Sequence, residues 1–272
     1  MPTWKLILEY DGTRYSGWQE QKNARTLQGE LRAAAEALLG AAVEMQGSGR
    51  TDAGVHALAQ VVHMRVSGKP RLDELALRRE LNKALPSDMA VLAIEPAAPA
   101  FHARHNALTR IYLYRISTRK TAFSKRHVWW VKRPLETAAM ARAARILPGR
   151  HDFRAFRAED AARPGESTIV VVDRAEVEPA GDEIRFRIEA SHFLWRMVRR
   201  VVGALVKVGL GELPEDDFRR LIEDPAAISL PVAEWTAPAC GLFLEQVRYP
   251  DPARMATVSR RFAGKKQRGS RS

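Results

Sequence analysis

An α+β fold, with helices laid on one face of a mainly antiparallel sheet, is what the sequence predicts. Three observations carry it: apolar residues alternating at period two in several short runs, amphipathic stretches with cap residues at their ends, and the order in which the two kinds of stretch follow one another. The chain has 272 residues, 46% hydrophobic and 28% charged. That is enough for one large domain or two ordinary ones, each with its own core.

Trp4, Leu6, Leu8 and Tyr10 fall on one side of a strand. The polar segment Asp11 to Gln21 reads as a glycine-bearing loop. Leu27, Leu31, Ala34, Ala35 and Leu38 give helical spacing from Thr26 to Leu39, Gly40 ends it, and a strand follows near Val43. From Leu58 to Val66 the even positions are mostly apolar, another strand. Asp73 is placed to cap a helix running to about Leu85, where Pro86 stops it, and Met89 to Glu95 is the next strand. Strand, helix, strand, strand, helix, strand is the ferredoxin-like order. Residues 1–100 are therefore expected to form one such unit, closed by Pro96-Ala97-Ala98-Pro99-Ala100.

A second unit is expected over 101–250. It opens with a strand, Ile111 to Ile116, that sends Arg110, Tyr112 and Tyr114 to one face. Leu135 to Leu147 reads as an Ala-rich helix, and Ala158 to Ser167, with Pro164 and Gly165, as a mobile surface loop. Strands at Ile169 to Glu178 and Glu183 to Ala190 form a hairpin around Pro179-Ala180-Gly181-Asp182. Ser191 is expected to cap a long helix with Leu194, Met197, Val198, Val201, Leu205 and Val208 towards the core and Arg196, Arg199, Arg200 and Lys207 outside that stripe. Pro214 to Asp224 gives a short helix, and the segment from Ala237 leads into a closing strand. Residues 251–272 lose periodicity and are expected to be a disordered basic tail.

The charge balance, 44 Lys and Arg against 32 Asp and Glu for a net +12, favours a polyanionic partner. Half of that excess lies in the tail, where Arg260 to Ser272 holds six basic residues and no acidic one. More telling are the nine basic residues between Pro96 and Leu135 (Arg104, Arg110, Arg115, Arg119, Lys120, Lys125, Arg126, Lys132 and Arg133) with no Asp or Glu among them, a candidate phosphate-binding segment. No apolar run approaches a membrane span, and the N-terminus is too short and charged for a signal peptide. A cytoplasmic protein without membrane attachment is expected. One cysteine, Cys240, leaves no internal disulfide and no zinc-type cluster. His102 and His105 lack a further ligand motif, so no metal site is assigned.

The stretch with chemical promise is Gly47-Ser48-Gly49-Arg50-Thr51-Asp52-Ala53-Gly54-Val55-His56-Ala57. Glycine and aspartate are ordinary turn residues, and the spacing fits neither a dinucleotide loop nor a Walker loop. A guanidinium two residues from a carboxylate on a tight turn nevertheless favours the ionised carboxylate, a usable nucleophile or base. Tyr112 reads either as core packing in a strand or, among so many cations, as a stacking platform for a nucleobase.

Five separated stretches resemble the tRNA pseudouridine synthase A family. They are Asp11 to Gln21; Gly49 to Ala57; Phe101-His102-Ala103-Arg104 with the following Tyr112; Phe193 to Gly203 around Met197-Val198-Arg199; and Ala237 to Leu244. The resemblance covers nearly the whole chain from Leu8 to about Pro250. It implies two ferredoxin-like (RRM-like) halves sharing one sheet, with helices on one side and an active-site cleft between the halves. It also implies a homodimer that, without a cofactor, isomerises uridines 38–40 of the tRNA anticodon stem-loop. By the same resemblance Asp52 is the catalytic aspartate, Arg50 its partner, Tyr112 the residue stacking on the target base, Arg199 the basic residue of a third motif, and Leu242 part of the uracil pocket. Trp195-Arg196 departs from the family pattern, which has a histidine or similar and an asparagine before Met197. The alternative from a different class is an RNA-binding or RNA-folding module in which Asp52 is only a turn residue.

Overall fold

In the computed structural model, which describes residues 1–68, 72–159 and 165–250, the first alternating run becomes β1 (Thr3–Tyr10). Its apolar side chains Trp4, Leu6, Leu8 and Tyr10 are all buried. α1 (Leu27–Leu39) starts where the Thr26 side chain accepts the Gly29 N–H and stops at Gly40 in the left-handed region. Both signals are local, which is why they are legible without tertiary context. β2 (Val43–Gly47), β3 (His56–Val66), α2 (Glu74–Ala84, capped by Asp73) and β4 (Met89–Pro96) complete the first set. Antiparallel pairing arranges its strands in the order β4-β1-β3-β2, the ferredoxin-like arrangement.

The second set consists of β5 (Thr109–Ser117), the two-residue β6 (Trp129–Trp130), α3 (Thr137–Ala144), β7 (Gly149–Asp152), β8 (Ile169–Ala180), β9 (Glu183–Ala190), α4 (Met197–Gly209), α5 (Glu215–Glu223) and β10 (Leu242–Arg248). Its antiparallel order β10-β5-β9-β8 is topologically the same as that of the first. The halves join because β3 outruns β2. β2 pairs only with Val62 to Val66, and the vacant edge nearer the start of β3 takes β10 in parallel, Phe243 opposite His56 and Leu244 opposite Ala57. The result is one large, mostly antiparallel sheet. A single buried cluster runs from Leu6, Leu27, Leu31 and Leu77 of the first half to Phe186, Val201, Leu205 and Phe218 of the second, so both sets of helices pack on one core.

Some expectations shift. α4 begins at Met197, and Ser191 does not cap it; its hydroxyl shares a 3.0 Å hydrogen bond with His192 Nδ1, and its N–H bonds Val171 O at 3.2 Å. Between them the chain turns through Arg196, whose φ of 59° lies in the left-handed region. α3 is shorter than its Ala-rich run because the chain tightens into a turn after Ala144. Leu58, counted with the apolar side of its strand, is 41% exposed. Residues 160–164 of the expected surface loop and the basic tail 251–272 lie outside the described residues. Among the described residues no helix is long and apolar enough to cross a membrane.

Candidate active site

The loop carrying Asp52 fills the gap where β3 exchanges β2 for β10, and the first half fixes it through buried side chains and backbone together. Gln60, buried on β3, accepts from the Ser48 hydroxyl at 2.6 Å and donates to Gly49 O at 3.0 Å. Thr51 is gripped from two sides: its hydroxyl shares a 2.9 Å hydrogen bond with the buried Tyr10 hydroxyl, and its carbonyl accepts the Trp18 N–H at 3.0 Å. A turn then closes from Val55 N to Asp52 O at 3.1 Å. The polar loop 11–21 reaches this close only because it carries glycines. A Cβ on Gly12 would lie 2.0 Å from Val55 O, and one on Gly17, at φ 98°, 2.8 Å from Thr51 O.

From this anchored loop the Asp52 carboxylate extends to the second half. Arg199, on the first turn of α4, donates to Oδ2 at 3.1 Å, and the Trp195 indole N–H donates to Oδ1 at 3.1 Å. Arg199 is itself positioned, its Nε donating to Ala237 O at 2.7 Å while its carbonyl accepts the Ala237 N–H. Tyr112 lies nearby, buried on β5 with the Phe193 ring edge-on at 5.0 Å between centroids. Burial first, and then the negative charge of Asp52, pushes its phenol up to about 12, so the hydroxyl stays protonated. Leu242 begins β10 opposite Tyr114, two register steps from the Leu244–Tyr112 pair, and is buried.

Asp52, Arg199 and Tyr112 are thus brought together, with Leu242 on the neighbouring strand. Arg50 is not. It is exposed and forms no ion pair with Asp52, and the cation on that carboxylate is Arg199. The difference has a physical reason: Arg199 is half-desolvated and already held by Ala237, so it loses little freedom on pairing, whereas Arg50 on the outside of the turn stays hydrated. In the sequence Trp195 stands out only as a departure from the family pattern. Only the fold shows that it touches Asp52, because the two residues are 143 positions apart.

The basic segment is also less available than its composition suggests. Arg110 is buried, giving its guanidinium to the carbonyls of Ser48, Arg104, Ala107 and Ser191; it braces the Asp52 loop against β5. Arg115 pairs with Glu183, Arg119 with Asp182 and Arg133 with Glu212. Lys120, Lys125 and Arg126 remain exposed. On α4, Arg200 turns inward to Arg157 O, and Arg199 to Asp52.

A second polar cluster flanks the site. Asp11 lies 3.1 Å from His56 Nδ1 and 3.0 Å from His127 Nε2. The three side chains are close enough to share a cation, yet their atoms are engaged otherwise: the Gly12 N–H donates to His56 Nδ1, and His56 Nε2 bonds Arg126 O. Burial works to raise the Asp11 carboxyl, but hydrogen bonds from Thr13 and His127 and the nearby His56 bring it down to about 2. The cluster ties the loop 11–21, the start of β3 and the segment before β6 together.

Comparison with known proteins extends beyond this site. Residues 6–106 and 143–250 match the tRNA pseudouridine synthase family. The chain is 42% identical over 254 residues to tRNA pseudouridine synthase A of Beijerinckia indica, covering 92% of this chain and 95% of the relative. It is 41% identical to the protein of that name from Maricaulis maris (93% and 100% covered) and 43% identical to that from Rhodopseudomonas palustris (92% and 100%). Because the matches run through both halves and not through the Asp52 loop alone, the chain belongs to the tRNA pseudouridine synthase family.

Proposed function

We propose that this isomerase of tRNA uridine acts at positions 38–40 of the anticodon arm with Asp52 as its reacting carboxylate. The observation that carries the reading is the junction itself: a carboxylate fixed from below by the backbone of one half and met by an arginine and an indole from the other. Converting uridine to pseudouridine breaks C1′–N1, turns the uracil while it stays bound, and forms C1′–C5; N1 gains a proton and C5 gives one up. Nothing is oxidised or reduced, so the reaction calls for no cofactor. Asp52 either attacks C1′ or removes the C2′ proton. Both steps use an ionised carboxylate in a site that excludes water.

Arg199 holds Oδ2 and keeps the carboxylate aimed. Tyr112, protonated and packed by Phe193, supplies the surface on which the target base stacks, and Leu242 forms the adjoining apolar wall. Arg50, exposed beside Asp52, together with Lys125 and Arg126, meets the phosphates around the extruded nucleotide. Extrusion costs a few kcal/mol, and phosphate contacts and stacking offset it. The protein works as a cytoplasmic homodimer, which light scattering at micromolar concentration tests separately.

The test of the site is pseudouridine formation on an unmodified tRNA transcript by wild type and Asp52→Asn, with tRNA binding measured for both. Asn keeps the shape and removes the charge, so the expected result is anticodon-arm product from wild type, at least about 1000-fold less from the variant, as for loss of a covalent or general-base group, and similar binding. A variant as active as wild type would remove Asp52 from the mechanism. A wild type that binds but makes no product would favour the RNA-binding alternative.

A further inference from the structure

Trp195 is 44% exposed, yet its indole N–H lies 3.1 Å from Asp52 Oδ1. A tryptophan resting on a surface needs no polar partner, because water satisfies the N–H; this one spends it on the carboxylate in the cleft. The chain before α4 is shaped around that contact. Leu194 is buried, the Trp195 carbonyl accepts the Ala158 N–H at 3.0 Å, and Arg196 takes a left-handed φ of 59° that a residue with a side chain adopts at a cost. In that conformation the Arg196 guanidinium sits 5.0 Å from the Trp195 ring centre, within cation–π range. The indole is thus held by backbone on one side and a cation on another, with its N–H aimed at Oδ1 and much of its ring open to solvent.

We propose that Trp195 is a positioning residue for Asp52 and, through its open ring face, a stacking surface for an RNA base next to the reacting uridine. With Arg199 on Oδ2 and Trp195 on Oδ1, the orientation of the carboxylate is set by two donors from the second half before substrate arrives. The remaining lone pairs of the two oxygens are then directed into the cleft. An aromatic face flanked by a guanidinium is the surface that an unpaired RNA base stacks on, and extrusion of a uridine leaves its neighbours without a stacking partner. This inference rests on Asp52 being the reacting carboxylate.

Three substitutions separate the two parts. Trp195→Phe keeps an aromatic face and removes the N–H, Trp195→His restores a ring N–H donor on a smaller ring, and Trp195→Ala removes both. Single-turnover rates on a saturating tRNA transcript and tRNA affinities are measured for each. The Phe variant is expected to lose roughly 10- to 100-fold in rate, the size of a lost hydrogen bond to a charged group, with affinity within about 3-fold of wild type. The His variant is expected to recover most of that rate. The Ala variant is expected to match Phe in rate loss and in addition to bind about 10-fold more weakly, as for one lost base stack. A Phe variant at the wild-type rate, or a His variant no faster than Phe, would overturn the positioning role, and an Ala variant with wild-type affinity would overturn the stacking role. A wild type that forms no pseudouridine, or an active Asp52→Asn, would instead bring down the reading on which the inference rests.

Discussion

The two halves of this molecule have the same strand order, yet they hold the one carboxylate between them by different means. The first half grips it through backbone and buried loop contacts: Tyr10 and Trp18 on Thr51, Gln60 on Ser48 and Gly49, and two glycine-dependent close approaches at Gly12 and Gly17. The second half steadies the loop at one point, where the buried Arg110 donates to Ser48 O, and reaches the carboxylate itself through side-chain ends, Arg199 and Trp195. Backbone contacts decide where the Asp52 Cα stands, and to loosen them is to unfold the loop. Side-chain contacts decide where the carboxylate points. Rotamers change without unfolding anything, so the second half is the one that can give way when a nucleotide enters. The position of the loop is thereby set mainly by the first half, and the direction of the carboxylate by the second.

The strongest test is Arg199→Met, which fills the same space without charge or donors. If the division is right, turnover falls about 1000-fold, near 4 kcal/mol at about 1.4 kcal/mol per decade, while stability in urea changes by only about 1 kcal/mol, the size of one hydrogen bond, to Ala237 O, together with a partly exposed ion pair. Stability falling in step with activity would place Arg199 with the contacts that build the fold. The mirror experiment is Gly12→Ala. A methyl group 2.0 Å from Val55 O forces the two loops apart, and a loss of roughly 3 kcal/mol is expected, the upper range for overpacking. Activity then falls because the loop is displaced. Normal stability in this variant would show that the loop yields as easily as a side chain, and the comparison would fail.

The same division marks what could be read from the sequence. Thr26, Gly40 and Asp73 act on their own helix ends, and the hairpin strand β9 is fixed by its turn, so these features were legible residue by residue. The glycine-rich loop was legible as a loop, and its resemblance to a family carried the rest. The partner of Asp52 was not legible. Arg50 stood two positions away and Arg199 at 147, and nothing local says which cation turns inward. For the same reason nine basic residues in a row of forty looked like an RNA surface, although Arg110 is a buried brace. The late start of α4 was hidden because Ser191 is a good cap by composition, whereas in the fold its N–H continues the pairing to β8 and its hydroxyl bonds His192 Nδ1, five residues short of the helix. The central place of β10 depends on how much of β3 is left unpaired, which no single segment contains.

The smallest expected effect concerns the joint between the halves. His63 on β3 is fully buried; its Nδ1 accepts the Ala103 N–H at 3.1 Å, and its Nε2 has no hydrogen-bond partner. Ala103 in turn offers its carbonyl to the Tyr249 hydroxyl at 2.6 Å, so one buried imidazole ties the linker to the first half while Tyr249, just after β10, ties it to the second. Burial, followed by the charges of His102 and Arg65, brings His63 down to about 4, against the weaker pull of Glu44 in the other direction. Because the folded value lies below the ordinary value of about 6.5, the unfolded chain binds this proton more readily. The contribution is complete above pH 6.5 and is lost as the pH falls towards 4. Urea unfolding at pH 7.5 and pH 5 should therefore show wild type losing on the order of 1 kcal/mol more than His63→Gln, which cannot titrate. Asp11, brought down to about 2, weakens the protein only below about pH 3.8, so it does not enter this window. Equal losses in the two proteins would mean that His63 takes up its proton inside the fold, with the Glu44 carboxylate 3.9 Å away closing on Nε2. The joint would then be held by side-chain rearrangement, as the carboxylate is held by the second half.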